Sequence, residues 1–156
     1  MKISTKGKYG LRAMIDLAQY SEQEAVSISS IAQRQKISES YLEQLVAKLK
    51  KAGLVISIRG AAGGYRLAGP AAGISVGDVL RALEGDVRAV ICTAQTEEGC
   101  EGEELCVTKY VWQRINESIE KTVDEMMIDQ LVAESRKAQE KAKNHDVDYS
   151  RNSCSG

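Results

Sequence analysis

Cys92, Cys100 and Cys106 fall in one short stretch of a 156-residue chain, and a fourth cysteine, Cys154, stands two residues from its end. Clustered thiols serve two kinds of chemistry. As thiolates they bind soft metals, and as nucleophiles they undergo redox exchange. A disulfide framework is a third use, but it belongs to oxidising compartments. The opening Met1-Lys2-Ile3-Ser4-Thr5-Lys6 lacks the apolar run of a secretory leader, so a reducing, cytoplasmic setting is expected. The intervals of seven and five residues match no tight C-x-x-C zinc turn. On spacing alone an iron–sulfur cluster, zinc and redox thiols stand level, ahead of three unrelated buried cysteines. Glu97, Glu98, Glu101, Glu103 and Glu104 share the stretch and could supply oxygen donors.

A second set of residues suits nucleic acid. Leu42, Leu45, Val46 and Leu49 form the inward stripe of a helix expected over 39–51, and Ser40, Tyr41, Gln44 and Lys48 mostly fall outside it. Hydroxyls and a carboxamide there can bond base edges and phosphates in a major groove wide enough to admit a helix, while Lys48 adds charge. Downstream, Arg59-Gly60-Ala61-Ala62-Gly63-Gly64 sets one arginine among small residues. A narrow minor groove attracts such an arginine, and small neighbours let the backbone approach. Lys2, Lys6, Lys8 and Arg12 are further candidates for phosphate contact. The charge divides accordingly. Residues 1–70 carry 11 Lys and Arg against 5 Asp and Glu, a net of +6, and residues 71–156 carry 10 against 17, a net of −7. The overall charge of −1 hides a basic half fit for a phosphate backbone and an acidic half that must do something else.

The elements that would position these residues can be read from period and punctuation. A first helix is expected over 7–20, with Leu11, Met14, Ile15 and Ala18 on its apolar face. Val26 and Ile28 alternate with Ser27 as a short strand would, and a short helix over 29–35 follows. Lys36-Ile37 makes a turn, Ser38 caps the helix over 39–51, and Gly53 ends it in a left-handed conformation. Residues 54–58 and 65–67 read as two strands joined by the glycine-rich loop. Ser75-Val76-Gly77-Asp78 opens a further helix that Gly85 follows. Helix, turn, helix and then a hairpin is the order of a winged helix-turn-helix, mainly α with a small β-hairpin. The expected divisions are a DNA-binding domain over 1–86, a cysteine loop over 87–106, a dimerisation helix over 107–134 and a polar, disordered tail over 135–156. The long helix is read from Val111, Ile115, Ile119, Val123, Met127 and Leu131, a stripe that must be buried against something large.

Several of these segments together resemble the IscR-like iron–sulfur cluster regulators of the Rrf2 family of winged-helix transcription factors. Ser4-Thr5-Lys6-Gly7-Lys8-Tyr9-Gly10 resembles the start of the family's first helix. Ser38-Glu39-Ser40-Tyr41-Leu42-Glu43-Gln44-Leu45 resembles its recognition helix. Lys51-Ala52-Gly53-Leu54-Val55 with Arg59-Gly60 and Gly63-Gly64-Tyr65 resembles its wing, and Cys92, Cys100 and Cys106 its cluster loop. The likeness runs from residue 1 to about 133. It implies a homodimer with cross-packed long helices, DNA contact through Ser40, Tyr41, Gln44, Arg59 and Gly60, and Glu43 beside the reading surface. It also implies a cluster, 2Fe–2S ahead of 4Fe–4S, with Cys92, Cys100 and Cys106 as thiolate ligands.

Two positions depart from that pattern. Ala61-Ala62 stands where a Pro-Gly pair is common, and Lys109 stands where IscR-like proteins often carry a histidine. A protonated lysine is no iron ligand, so the fourth site falls to a loop glutamate, a partner-chain residue or a small exogenous ligand, with His145 and Cys154 behind them. The function expected is a dimeric regulator that binds inverted-repeat DNA and senses iron–sulfur status to control cluster-biogenesis genes. Its rivals are a nitric-oxide or thiol-redox regulator of the same fold and a DNA-free protein-interaction module. An enzyme is not expected, because the single histidine lies in the tail and neither a nucleophile–base set nor a phosphate loop is visible. No run of 18 apolar residues offers a membrane span.

Overall fold

The computed structural model describes residues 2–92, 100–102 and 104–153, the last seven by backbone alone. Its elements are α1 (Thr5–Tyr20), α2 (Ile28–Gln35), α3 (Glu39–Lys51), β1 (Val55–Ile58), β2 (Gly64–Leu67), a 3-10 turn (Ala71–Gly73), α4 (Val76–Glu84), α5 (Thr108–Glu125) and α6 (Ile128–Ser153). Among the described residues no helix is long and apolar enough to cross a membrane.

Short polar residues start the helices of the reading head. Ser27 Oγ accepts from the Ser30 amide at 3.2 Å, and Ser38 Oγ from the Tyr41 amide at 3.3 Å. Ser75 and Asp78 form a reciprocal capping box on α4. Lys36, with φ of 54°, makes the left-handed turn between α2 and α3. The α3 stripe of Leu42, Leu45, Val46 and Leu49 is buried as expected. On α1 the core face is rotated from the expected one: Ala13, Met14, Leu17 and Ala18 are buried, while Leu11 and Ile15 pack at its margin.

The wing is an antiparallel pair with Val55 opposite Leu67 and Ile58 opposite Gly64. The expected strand at Val26 is a single bridge to Tyr65, closed by two backbone hydrogen bonds of 2.9 and 2.8 Å. Ile28 begins α2 instead of extending that strand. Gly64 permits the bridge, because a Cβ there would strike the Val26 carbonyl.

The C-terminal half departs from the expectation of one helix over 107–134. The chain goes extended at Met126 and Met127. The Val76 amide donates to the Met126 carbonyl at 2.8 Å, and the Ile128 amide to the Ile74 carbonyl at 2.9 Å. Ile128 and Val132 then enter the chain's own core. The stripe is therefore divided, its C-terminal half packing on its own domain. The tail expected to be disordered over 135–156 is part of α6 through Ser153, and residues 154–156 lie outside the described residues. Its later sequence is rich in Ala, Glu, Gln, Lys and Arg, strong helix formers that need no apolar face to favour the helix. Gln139 ties it to Gln19 on α1, and Arg136 ties it to Glu22 in the connector that follows.

Candidate functional site

The start of α3 is an exposed edge. Ser40, Gln44 and Lys48 are open to solvent, as are Arg59 and Gly60 at the tip of the wing. The structure places these residues as an outward helix face and a projecting hairpin, the two features the sequence reading required. Tyr41 differs. It is half-buried against the core, its ring edge-on to Tyr9 with centroids 6.2 Å apart. Its packing holds the first turn of α3 against α1. Glu43 is exposed beside Gln44. Arg12, a candidate phosphate contact, lies over the Tyr9 ring at 5.3 Å and donates to the Gln35 side chain and carbonyl at 3.2 and 2.9 Å. Lys6 of α1 and Lys48 and Lys51 of α3 line one recess, which α4 closes with Ala82, Leu83 and Glu84.

Two acidic groups that the sequence reading missed hold this head together. Asp16 on α1 is buried and accepts from Arg34 Nε and Nη2 at 2.9 and 2.8 Å and from Gln35 Nε2 at 2.8 Å. Arg34 also stacks over Tyr20 at 4.1 Å. The hydrogen bonds to Asp16 hold its guanidinium pKa above the ordinary arginine value. Glu84, the last residue of α4, accepts from the Ser4 hydroxyl at 2.6 Å and from the Ser4 and Gly7 amides at 2.9 and 3.1 Å. It thus caps the start of α1 from another helix. The Ser4 hydroxyl foremost, with the two amides and the charge of Lys6, lowers its pKa below the usual carboxylate range.

The cysteine loop joins α4 to α5. Cys92 and Cys106 are half-buried, Cys100 is exposed, and all three are free thiols. Cys106 precedes α5, with its sulfur 3.1 Å from the Thr108 hydroxyl. That hydrogen bond, together with the Lys109 and Thr108 amides and the charge of Lys109, lowers the thiol pKa. Among the described residues no three Cys, His, Asp or Glu side chains are gathered into a metal-ion site. Glu101 and Glu104 share a small recess with Cys100. Glu97, Glu98, Glu103 and Cys154 lie outside the described residues, and His145 is exposed on α6. The donor set still suits an iron–sulfur cluster: three unpaired thiols, one already biased toward thiolate by its surroundings.

Asn116 on α5 faces the incoming limb of this loop and is buried. Its Oδ1 accepts from the Ala89 and Val90 amides at 2.9 and 3.3 Å, and its Nδ2 donates to the Val90 carbonyl at 2.8 Å. Near the loop, α5 and the residues leading into it expose apolar surface: Leu105 and Val107 before the helix, and Tyr110, Val111 at 49% and Ile115 at 38% on it. Val123, expected on the same surface, packs instead against Val76, Leu80 and Val87.

The Rrf2 pattern, described as an iron-dependent transcriptional regulator, matches residues 3–134. The chain is 39% identical over 135 residues to the HTH-type transcriptional regulator IscR of Vibrio atlanticus, spanning 86% of this chain and 77% of that one. The structure of T. potens IscR is similar, with a TM-score of 0.71, 45% identity, and coverage of 89% of this chain and 91% of that one. CymR, the global cysteine regulator of B. subtilis, also has a TM-score of 0.71, with 41% identity and coverage of 85% and 97%.

Proposed function

Because the chain belongs to the Rrf2 family of transcriptional regulators, we propose that it acts as a homodimer that reads inverted-repeat DNA and senses iron–sulfur status through a 2Fe–2S cluster. The cluster would be held by Cys92, Cys100 and Cys106, and the genes controlled would be those of cluster biogenesis. DNA binding and transcription regulation follow from the family and from the similarity to IscR proteins. The cluster reading rests chiefly on one observation: three free thiols on a single loop, the last at the foot of α5 with its pKa lowered. Overall fold cannot make this choice, because an IscR and a cysteine regulator resemble the chain equally in TM-score.

When bound, a cluster supplies a group that is kept or lost with iron and oxidant supply. The chain's own residues hold it and report on it. Cys92, Cys100 and Cys106 would ligate, while Thr108 and the first amides of α5 favour the thiolate of Cys106. The exposed apolar face of α5 supports the dimer, since that surface needs a partner. Two recognition helices in such a dimer would lie about one DNA turn apart, roughly 34 Å, or a multiple of it. Ser40, Gln44 and Arg59 would make the groove contacts.

Anaerobically purified protein should be coloured and carry iron and sulfide. Cys92→Ala, Cys100→Ala and Cys106→Ala should each remove the colour, and Cys154→Ala should not. Lys109→His, which offers an imidazole three residues beyond Cys106, should make the colour more persistent in air. Colourless anaerobic protein holding zinc on the same three cysteines would overturn the cluster reading and leave DNA binding standing. The thiol-redox alternative draws on the same low-pKa Cys106. It predicts metal-free protein whose DNA affinity changes with thiol oxidation alone.

A further inference from the structure

We infer that Asn116 is a positioning residue for the cysteine loop: it fixes Cys92 relative to Cys106 by tying the incoming limb of the loop to α5, the helix into which the outgoing limb runs. The inference rests on the proposed role of that loop, but its geometry is independent of any bound group. Cys106 precedes the first turn of α5, and Asn116 lies eight residues beyond Thr108, about 12 Å along the same helix. The Asn116 carboxamide uses both ends on the backbone of residues 89 and 90, accepting two N–H groups and donating to one carbonyl. Val90 is two residues from Cys92, so Cys92 cannot stray more than about 7 Å from that anchor.

The arrangement is unusual for an asparagine on an amphipathic helix. A polar side chain in the interior of a helix ordinarily faces water or its own backbone. Here it is buried and spends its hydrogen-bonding capacity on a segment 26 and 27 residues away in sequence. No apolar residue could replace it without leaving the Ala89 amide and the Val90 carbonyl unsatisfied. The choice of asparagine is thus explained by the loop it holds. A rearrangement of the incoming limb must either break these bonds or move α5 with it.

The test begins with metal-free full-length protein, so it does not depend on loading. Hydrogen exchange in the wild type should show the Ala89 and Val90 amides protected like those of central α5, and far more than that of Gly102. In Asn116→Ala these two amides should exchange about tenfold faster, the equivalent of one hydrogen bond's net contribution. Cys92 should then react several-fold faster with a thiol reagent mapped by mass spectrometry, while Cys100 keeps its rate. Asn116→Asp retains the acceptor for both N–H groups and should fall between. Wild-type amides at 89 and 90 that exchange as fast as those of the loop would overturn the inference, even if no variant folded. So would an Asn116→Ala protein in which Cys92 is unchanged, or one in which the α3 amides and all thiols speed up together. A wild type that takes up no iron and sulfide would sink the cluster reading instead, with the thiol-labelling result unaffected.

Discussion

Removing Arg34 should destabilise the protein more than removing its partner Asp16, because the two sides of the ion pair are buried unequally. The Asp16 side chain is 1% exposed and the Arg34 side chain 32%. Arg34→Ala leaves a carboxylate sealed beneath α1 and α2 with only the Gln35 bond, and a buried charge stripped of its partner costs about 3–5 kcal/mol. Asp16→Ala frees a guanidinium that already reaches water and keeps its ring contact with Tyr20. Its loss should be nearer that of a charge-assisted hydrogen bond, about 1.5–3 kcal/mol. For a chain of this size each kcal/mol moves Tm by roughly 2–4 °C, so Arg34→Ala should melt about 10 °C lower. Urea denaturation followed by circular dichroism would give both values. An Asp16→Ala loss equal to or larger than that of Arg34→Ala would refute the burial argument. So would a loss below about 1 kcal/mol in either variant.

Glu84 should make stability depend on pH. Its folded pKa is lowered, so its contribution is present above the unfolded carboxylate value of about 4.3 and disappears as pH falls through the folded pKa. Glu84→Gln should flatten the wild type's loss of stability in that acid window, as read by melting at pH 3 to 6. Val111→Glu with Ile115→Glu should give monomers by sedimentation and leave the melting of the reading head intact, because both side chains are exposed in the single chain. Arg59→Ala should weaken specific DNA binding by about 1–3 kcal/mol, and Gln44→Ala should relax preference at one position of each half-site, both by competition binding. The wild-type affinity should fall steeply with salt as counterions are released.

The reading head was largely legible because its signals are local. Serines cap α2, α3 and α4, apolar residues repeat at helical spacing, and glycines mark the wing. What could not be read depends on partners distant in sequence. No proline or glycine announces the break at Met126, which is set by backbone bonds to Ile74 and Val76. Val123 looks like a dimer residue by period alone, yet α4 covers it. Nothing in the local sequence marks Asp16 or Asn116, because their partners, Arg34 and the 89–90 segment, lie elsewhere in the chain. The absence of an apolar stripe after Glu134 suggested disorder, whereas propensity and the α1 contacts favour a helix. The cysteines were the opposite case. Their types pointed to the chemistry, but spacing left three chemistries level, and a family likeness was needed to choose between them.

If α5 responds to the cysteine loop, the contacts determine where that response must go. Asn116 receives the loop at the middle of α5. Near its far end Asp124 accepts both Nη groups of Arg81 on α4, at 2.7 and 2.9 Å. Glu84 at the end of α4 in turn caps α1, where the basic residues of the head begin. Glycines remove the slack along this route. A Cβ on Gly77 would strike Asp124, one on Gly10 would strike Leu83, and one on Gly7 would meet Glu84 at 2.6 Å. The glycines let these side chains pack closely against the helices, and α4 so packed tends to move with its neighbours, since packed interiors shift as units and do not compress. A tilt of α5 would therefore carry α4 and the base of α1 with it, and α3 moves with them because Leu42, Leu45 and Leu49 share their core. The recognition helices of a dimer would be re-spaced by the same movement.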